Sequence, residues 1–179
     1  MDNIASLVCH QHMPSKVVRE IVVSGARGEG GLITLRYTVI GDIGGIHIPE
    51  PTEPERRNGL WKTTCFELFT QDVGQQAYRE YNFSPSGAWA AYSFSAYRQG
   101  MSDVDIWAPR IAITADEESL VVDVTFVSPR LAPQHVGAYA IIEEEGGAQS
   151  FWALRHPPGK PDFHNEFGFS YLIPATESE

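Results

Sequence analysis

Thr64-Cys65-Phe66-Glu67-Leu68-Phe69-Thr70, followed after a short connection by Tyr78-Arg79-Glu80-Tyr81-Asn82-Phe83 and then Trp89-Ala90-Ala91-Tyr92, decides the fold class. The apolar period in these segments is two. Successive side chains of an extended strand point to opposite faces, so Phe66 and Leu68 share one face while Cys65, Glu67 and Phe69 share the other. Ser84-Pro85-Ser86-Gly87, between the second and third segments, puts Pro and Gly at natural type I or II turn positions. The three segments therefore predict consecutive antiparallel strands.

The same short, alternating pattern runs through the rest of the chain and predicts strands over residues 4–9, 17–24, 32–39, 64–70, 78–83, 89–94, 110–115, 120–127, 136–143, 150–156 and 167–172. Gly28-Glu29-Gly30-Gly31, Asp116-Glu117-Glu118-Ser119 and Glu145-Gly146-Gly147 read as hairpin loops. Helix is confined to a turn expected at 55–58. These strands suit an all-β fold, an antiparallel two-sheet β-sandwich, and with 179 residues the chain is expected to form a single domain over 1–179. Three stretches, 41–61, 96–109 and 156–165, read as long irregular loops, where binding groups tend to sit. Residues 175–179 are expected to fray.

Thirteen Lys and Arg against 23 Asp and Glu give a net charge of −10, which lacks the basic surface that tracks phosphates and argues against nucleic acid. No apolar stretch is long enough to span a membrane, and the first residues lack the basic and apolar regions of a signal peptide, so a cytoplasmic location is expected. Cys9 and Cys65 form no metal-ligand spacing and are expected to be reduced, buried thiols. No GxSxG elbow, P-loop or Cys/His nucleophile pattern occurs, and no catalytic residue is assigned. His156, Asp162 and His164 do not have the spacing of a zinc site, so no metal is expected.

Glu67 is the residue that needs a reason. A carboxylate between two apolar neighbours on its own face is costly unless paired. It either projects into a polar ligand cleft or is neutralised by a partner such as Arg79 or Arg98. Asn82 belongs beside it if the strands pair in the right register, and a slip of one residue would put it on the opposite face. The segment from Arg155 to Glu166 carries three prolines and a glycine together with His156, Lys160, Asp162 and His164. Such stiffness lowers the entropy cost of presenting several polar groups to one ligand. The alternative is that the prolines cover a sheet edge. Of the four tryptophans, Trp89 and Trp152 fall within strands and are expected in the core, whereas Trp61 and Trp107 fall in or beside loops. An exposed aromatic face stacks on the C–H faces of a sugar ring, and Trp61 is the candidate platform.

The run 61–92 with its Thr64-Cys65-Phe66-Glu67-Leu68-Phe69 strand and Tyr81-Asn82-Phe83-Ser84-Pro85-Ser86-Gly87 resembles the DOMON-like superfamily, and within it proteins similar to the family 9 carbohydrate-binding modules. Ser150-Phe151-Trp152-Ala153-Leu154 and the segment from His156 to His164 look like a signature of a small bacterial branch. The resemblance covers most of the chain from about residue 32. It implies a jelly-roll sandwich, acting as a non-catalytic module, whose relatives bind sugars or haem. On the sugar side Trp61, Glu67 and Asn82 lie in the region that matches the sugar contacts of those relatives; together with Arg98 and with His156, Lys160, Asp162 and His164 of the stiff polar loop they make the expected ligand-binding set, with no cofactor. On the haem side an axial pair is implied, for which Met101 and a loop His are available. An enzyme acting on a sugar derivative through Asp162 and His164 is the third reading. The expected partner is a sugar-like small molecule, with a homodimer through an exposed sheet edge or a partner enzyme as further possibilities.

Overall fold

The computed structural model describes residues 3–128, 130 and 132–175. Residues 176–179, within the segment expected to fray, lie outside the described residues. The fold is nearly all-β, and helix is limited to short 3₁₀ turns among the described residues. The strands are β1 (Asn3–Cys9), β2 (Val18–Arg27), β3 (Leu32–Gly41), β4 (Cys65–Asp72), β5 (Tyr78–Phe83), β6 (Trp89–Phe94), β7 (Ser102–Asp103), β8 (Arg110–Ala115), β9 (Ser119–Val127), β10 (Gln134–Glu143), β11 (Gln149–Ala153) and β12 (Tyr171–Ile173).

They form one curled antiparallel sheet in the order β7-β6-β5-β4-β10-β11-β1-β2-β3-β9-β8, with β12 added beside β10. β1 joins the two halves: Ala5, Ser6 and Leu7 pair with β2, and Val8 and Cys9 pair with β11. Two expected elements differ. The strand expected over 167–172 is a 3₁₀ turn, Glu166–Gly168, followed by the three-residue β12, because Asn165 caps the turn by accepting the Phe167 N–H at 3.0 Å. The helical turn expected at 55–58 forms later, at Leu60–Lys62, after Gly59 takes a left-handed φ of 77° that glycine adopts without steric cost.

Burial explains the layout. In β3 and β9 buried residues alternate with exposed or half-buried ones, as in strands with one face on a core and one toward water. Ile33, Leu35, Tyr37 and Val39 of β3 and Leu120, Val122, Val124 and Phe126 of β9 face inward. They meet Phe66 and Leu68 of β4 and Tyr81 and Phe83 of β5 across the curl. Phe126 lies 4.8 Å from Tyr81 and 5.4 Å from Phe83, and the Tyr37 hydroxyl donates to the Glu67 carbonyl at 2.8 Å. Trp89 and Trp152 are buried in this core.

In β4 nearly every residue is buried, whichever way it points. This half of the sheet is covered on both faces. Its second face carries Cys65, Phe69, Tyr78, Tyr92, Phe94 and Tyr139, with Phe163 and Phe169 packed over it from the 156–169 segment. No helix among the described residues is long and apolar enough to cross a membrane.

Candidate functional site

Glu67 lies in the middle of that second face. It pairs directly with Asn82 on β5 and with Tyr139 on β10, so the register is the one that puts Asn82 beside it. Glu80 is opposite Phe69, the next position on the same face. The two carboxyls therefore occupy diagonal positions on neighbouring strands, where backbones are typically roughly 7–8 Å apart. Asn82 is fully buried and its Nδ2 donates to Glu80 Oε1 at 2.8 Å, while its own Oδ1 has no partner among the described residues. Glu67 is 2% exposed, and among the described residues no group donates a hydrogen bond to its carboxyl. Arg79 does not neutralise it, because Arg79 pairs with Thr70 and projects to the opposite face.

Three loops complete the site. The 42–61 segment runs beside β6, held by Arg56, whose guanidinium donates to the carbonyls of Ala91 and Val104 and sits 4.6 Å over the Trp89 ring. It delivers Trp61, 39% exposed, edge-on to Tyr92 at 6.3 Å. The turn after β6 delivers Arg98, which holds a positive φ of 53°, a conformation that costs a non-glycine residue about 1 kcal/mol or more. The Arg98 N–H donates to the Tyr78 hydroxyl at 3.1 Å, and its guanidinium pairs with Asp162 at 2.8 Å.

The 156–169 segment is pinned at several points. Phe163 stacks on Tyr139 at 4.4 Å, the Asp162 carboxylate accepts the Tyr97 hydroxyl at 2.6 Å, and His164 Nδ1 lies 2.8 Å from the Tyr78 hydroxyl. Tyr139 fits only because its neighbours are small. A Cβ at either Gly137 or Gly168 would come 2.3 Å from the Tyr139 hydroxyl oxygen, closer than any packed contact allows.

Between these loops and the sheet is a cavity of about 400 Å³. Trp61, Phe94, Ile141, Phe151 and Phe163 supply its apolar wall, and Glu67, Glu80, Arg98 and His164 its polar groups. Burial, and then the neighbouring Glu80, push the Glu67 carboxyl well above the usual range. Burial also lifts Glu80 to about 7, against the pull of its Asn82 hydrogen bond and of Arg98. Burial and the nearby Arg98 lower His164 to about 4. Burial opposes the charge on Asp162, but the hydrogen bonds from Tyr97 and Arg98 outweigh it and keep the carboxylate ionised. His164 Nε2 and Glu80 Oε2 are 3.7 Å apart, as in an ion pair. With those shifts the contact at neutral pH is instead between a neutral imidazole and a half-ionised carboxyl.

The fold has a solved relative. A "putative carbohydrate-binding protein" from Bacteroides uniformis superposes with a TM-score of 0.68 at 14% identity, covering 94% of this chain and 84% of that one. At that identity the likeness is one of fold. No protein-family model matches the chain, and no curated protein does.

Of the residues singled out from sequence, Trp61, Glu67, Arg98 and His164 line the cavity, as does Met101. Asn82 and Asp162 stand behind them, holding Glu80 and Arg98 respectively. Asp162 accepts the backbone N–H of His164 at 3.2 Å, not its ring. His156 and Lys160 are elsewhere. His156 Nε2 lies 2.8 Å from the Val8 carbonyl and its ring is 4.9 Å from that of His10, so it fastens the loop to β1. Lys160 is exposed at the outer bend of the loop. Cys65 is buried, Cys9 only partly, and both are free thiols.

Sequence reasoning missed Glu80, Phe94, Phe151 and Phe163. The alternation that marks Glu67 also marks Glu80, two positions before Asn82 on one face of its strand, and that signal could have found it. A second cavity, of about 310 Å³, opens between the two halves of the curl. Its wall is mostly aliphatic, including Val23, Ile33, Leu35 and Leu68, and its charged group, Arg27, is engaged by Gln134 and by the Ala132 and Pro174 carbonyls.

Proposed function

We propose that this chain is a non-catalytic binding module for a carbohydrate or related polyhydroxylated compound, held in the cavity between Trp61 and Glu67. The observation that carries the reading is Glu67 itself, buried, unpaired and opening onto an aromatic-walled cavity. A buried polar group without a partner costs about 1–3 kcal/mol, and ligand hydroxyls would supply the missing hydrogen bonds. Flat apolar rings beside a few oriented polar groups are what a sugar ring requires, since its C–H faces are apolar and its rim is polar. The described role of the Bacteroides neighbour agrees with this reading, as does the resemblance to DOMON-like jelly rolls and family 9 carbohydrate-binding modules.

Haem is less well supported. Met101 and His164 line the same cavity, but His164 Nδ1 is taken by Tyr78 and Nε2 faces Glu80, so the ring presents no nitrogen for axial ligation. Those residues do not fit the group.

Isothermal titration against a panel of mono- and disaccharides and alditols is expected to yield a saturable ligand. Trp61→Ala and Glu67→Gln are each expected to weaken it at least about tenfold, near 1.4 kcal/mol. Unchanged affinity in both folded variants would end the assignment to this cavity.

A further inference from the structure

Burial holds the Glu67 carboxyl toward its neutral form and Glu80 near half-ionised at neutral pH, and the carboxyls lining the cavity lack a cation among the described residues to pair with when they ionise. Glu67 from β4 and Glu80 from β5 line it, and neither has a basic side chain devoted to it. Arg98 also lines it, but its guanidinium is bound to Asp162, and the pull it still exerts on Glu80 is smaller than the opposing effect of burial. His164 faces Glu80 but stays uncharged at neutral pH, because burial and Arg98 hold its proton affinity down. Cys65, Tyr78, Tyr92 and Tyr139, which pack around the same face, are all shifted upward by burial and remain neutral. Glu67 is nine-tenths buried or more, and no described residue donates a hydrogen bond to its carboxyl.

Two carboxyls thus share a desolvated space with aromatic rings and no free cation among the described residues lining it. A neutral polyol would satisfy hydrogen bonds but leave like charges to repel as they ionise. A ligand cation would relieve that repulsion, and the aromatic wall of Trp61, Phe94 and Phe163 offers polarisable π systems nearby. The chain's net charge of −10 draws cations rather than anions toward such a site.

We propose that the ligand of this cavity carries an ammonium group: an amino sugar or amino polyol whose nitrogen is bound between Glu67 and Glu80 and whose ring rests on the aromatic wall. This rests on the reading of the cavity as a carbohydrate site and narrows it to one chemical class. The ammonium requires the carboxyls to be ionised, so binding releases protons and tightens as pH rises through the range in which Glu80 titrates, until the ligand amine itself loses its proton.

The test is titration calorimetry with glucosamine, galactosamine and mannosamine, their N-acetyl and hydroxyl counterparts, and cyclohexylamine as an amine without hydroxyls. The amino sugar of the best stereochemistry is expected to bind at least about tenfold tighter than both counterparts, and tighter at about pH 7 than at about pH 5. Glu80→Gln is expected to abolish the preference for the amine and most of the pH dependence, while weak binding of the neutral sugar survives. Equal affinity for neutral and amino sugars would overturn the ammonium proposal and leave the carbohydrate reading standing. Binding of cyclohexylamine with no response to any sugar would support the ammonium site and overturn the carbohydrate reading. No binding by any of these probes would overturn both.

Discussion

Replacing Phe69 with alanine is expected to destabilise the protein by about 3–5 kcal/mol, the range for emptying a well-packed aromatic site. Phe69 is 1% exposed, and its ring is the centre of the second cluster: 5.2 Å from Tyr139, 5.2 Å from His164, 5.7 Å from Phe169 and 6.1 Å from Tyr78. Two of those four rings, His164 and Phe169, belong to the 156–169 segment. The cost should therefore come with a local signature. Hydrogen exchange within 156–169 should accelerate in Phe69→Ala beyond what global destabilisation explains. Leu68→Ala, on the opposite face of the same strand, is the control, since it empties the inner core without touching the loop. A loss below about 1 kcal/mol in Phe69→Ala, or loop protection equal in the two variants, would contradict the placement of the loop on the sheet.

The second large effect is electrostatic. Glu80 is raised from an ordinary 4.5 to about 7, so between those values the folded state holds a proton that the unfolded state has lost. The stability associated with that proton is fully present below about pH 4.5 and is lost as pH rises through about 7, a change of about 3 kcal/mol at roughly 1.4 kcal/mol per pKa unit. His164 works in the other sense. Its pKa falls from 6.5 to about 4, so its contribution is complete above 6.5 and is lost on acidification. Over the shared window the two slopes oppose each other and the wild-type curve is blunted.

Glu80→Gln separates them. Groups that do not sense Glu80 cancel in the difference, and Glu67, which Glu80 pushes upward, is relieved in the variant in the same direction. The difference should therefore grow from near zero at about pH 4.5 to at least about 3 kcal/mol in favour of the variant at about pH 8. Urea denaturation across that range checks it. A variant less stable than wild type at the alkaline end, or a difference independent of pH, would mean that Glu80 is not desolvated as described.

How much of this was legible in the sequence follows from what periodicity can carry. Alternation along 64–70 put Glu67 between the apolar Cys65 and Phe69 on one face and marked it as needing a reason, because side-chain direction in a strand is local. The pairing of Glu67 with Asn82 was legible only as one of two registers; the turn at 84–87 lies on the far side of β5 and does not set it. The antiparallel, nearly all-β character was legible because it repeats in every segment. The single curl in which β1 pairs with both β2 and β11 was not, since no local pattern tells a strand that its two ends have different neighbours.

The loops divide similarly. Stiffness in 156–165 was readable from its prolines, but its path was not. Proline constrains the backbone without saying where the segment lands. The chain thus places His164 over Glu80 while leaving His156 against His10 and Lys160 in solvent. Phe163 and Phe169 read as ordinary apolar residues. Their role as the cover of the sheet depends on rings far away in sequence, Tyr139 under Phe163 and Phe69 and Tyr78 under Phe169, and on the space left by Gly168.

The measurement that bears most directly on the central claim is a tryptophan-fluorescence titration with the sugar and amino-sugar panel, run on wild type and on Trp61→Phe. Trp89 and Trp152 are buried in the inner core, and Trp107, 86% exposed, does not line the cavity, so Trp61 is the reporter at the site. The account predicts a saturable change in wild type that is lost in Trp61→Phe, even where calorimetry still detects binding. A change that persists undiminished in Trp61→Phe would place the ligand elsewhere on the molecule, and a flat response in wild type to every sugar would contradict the carbohydrate assignment itself.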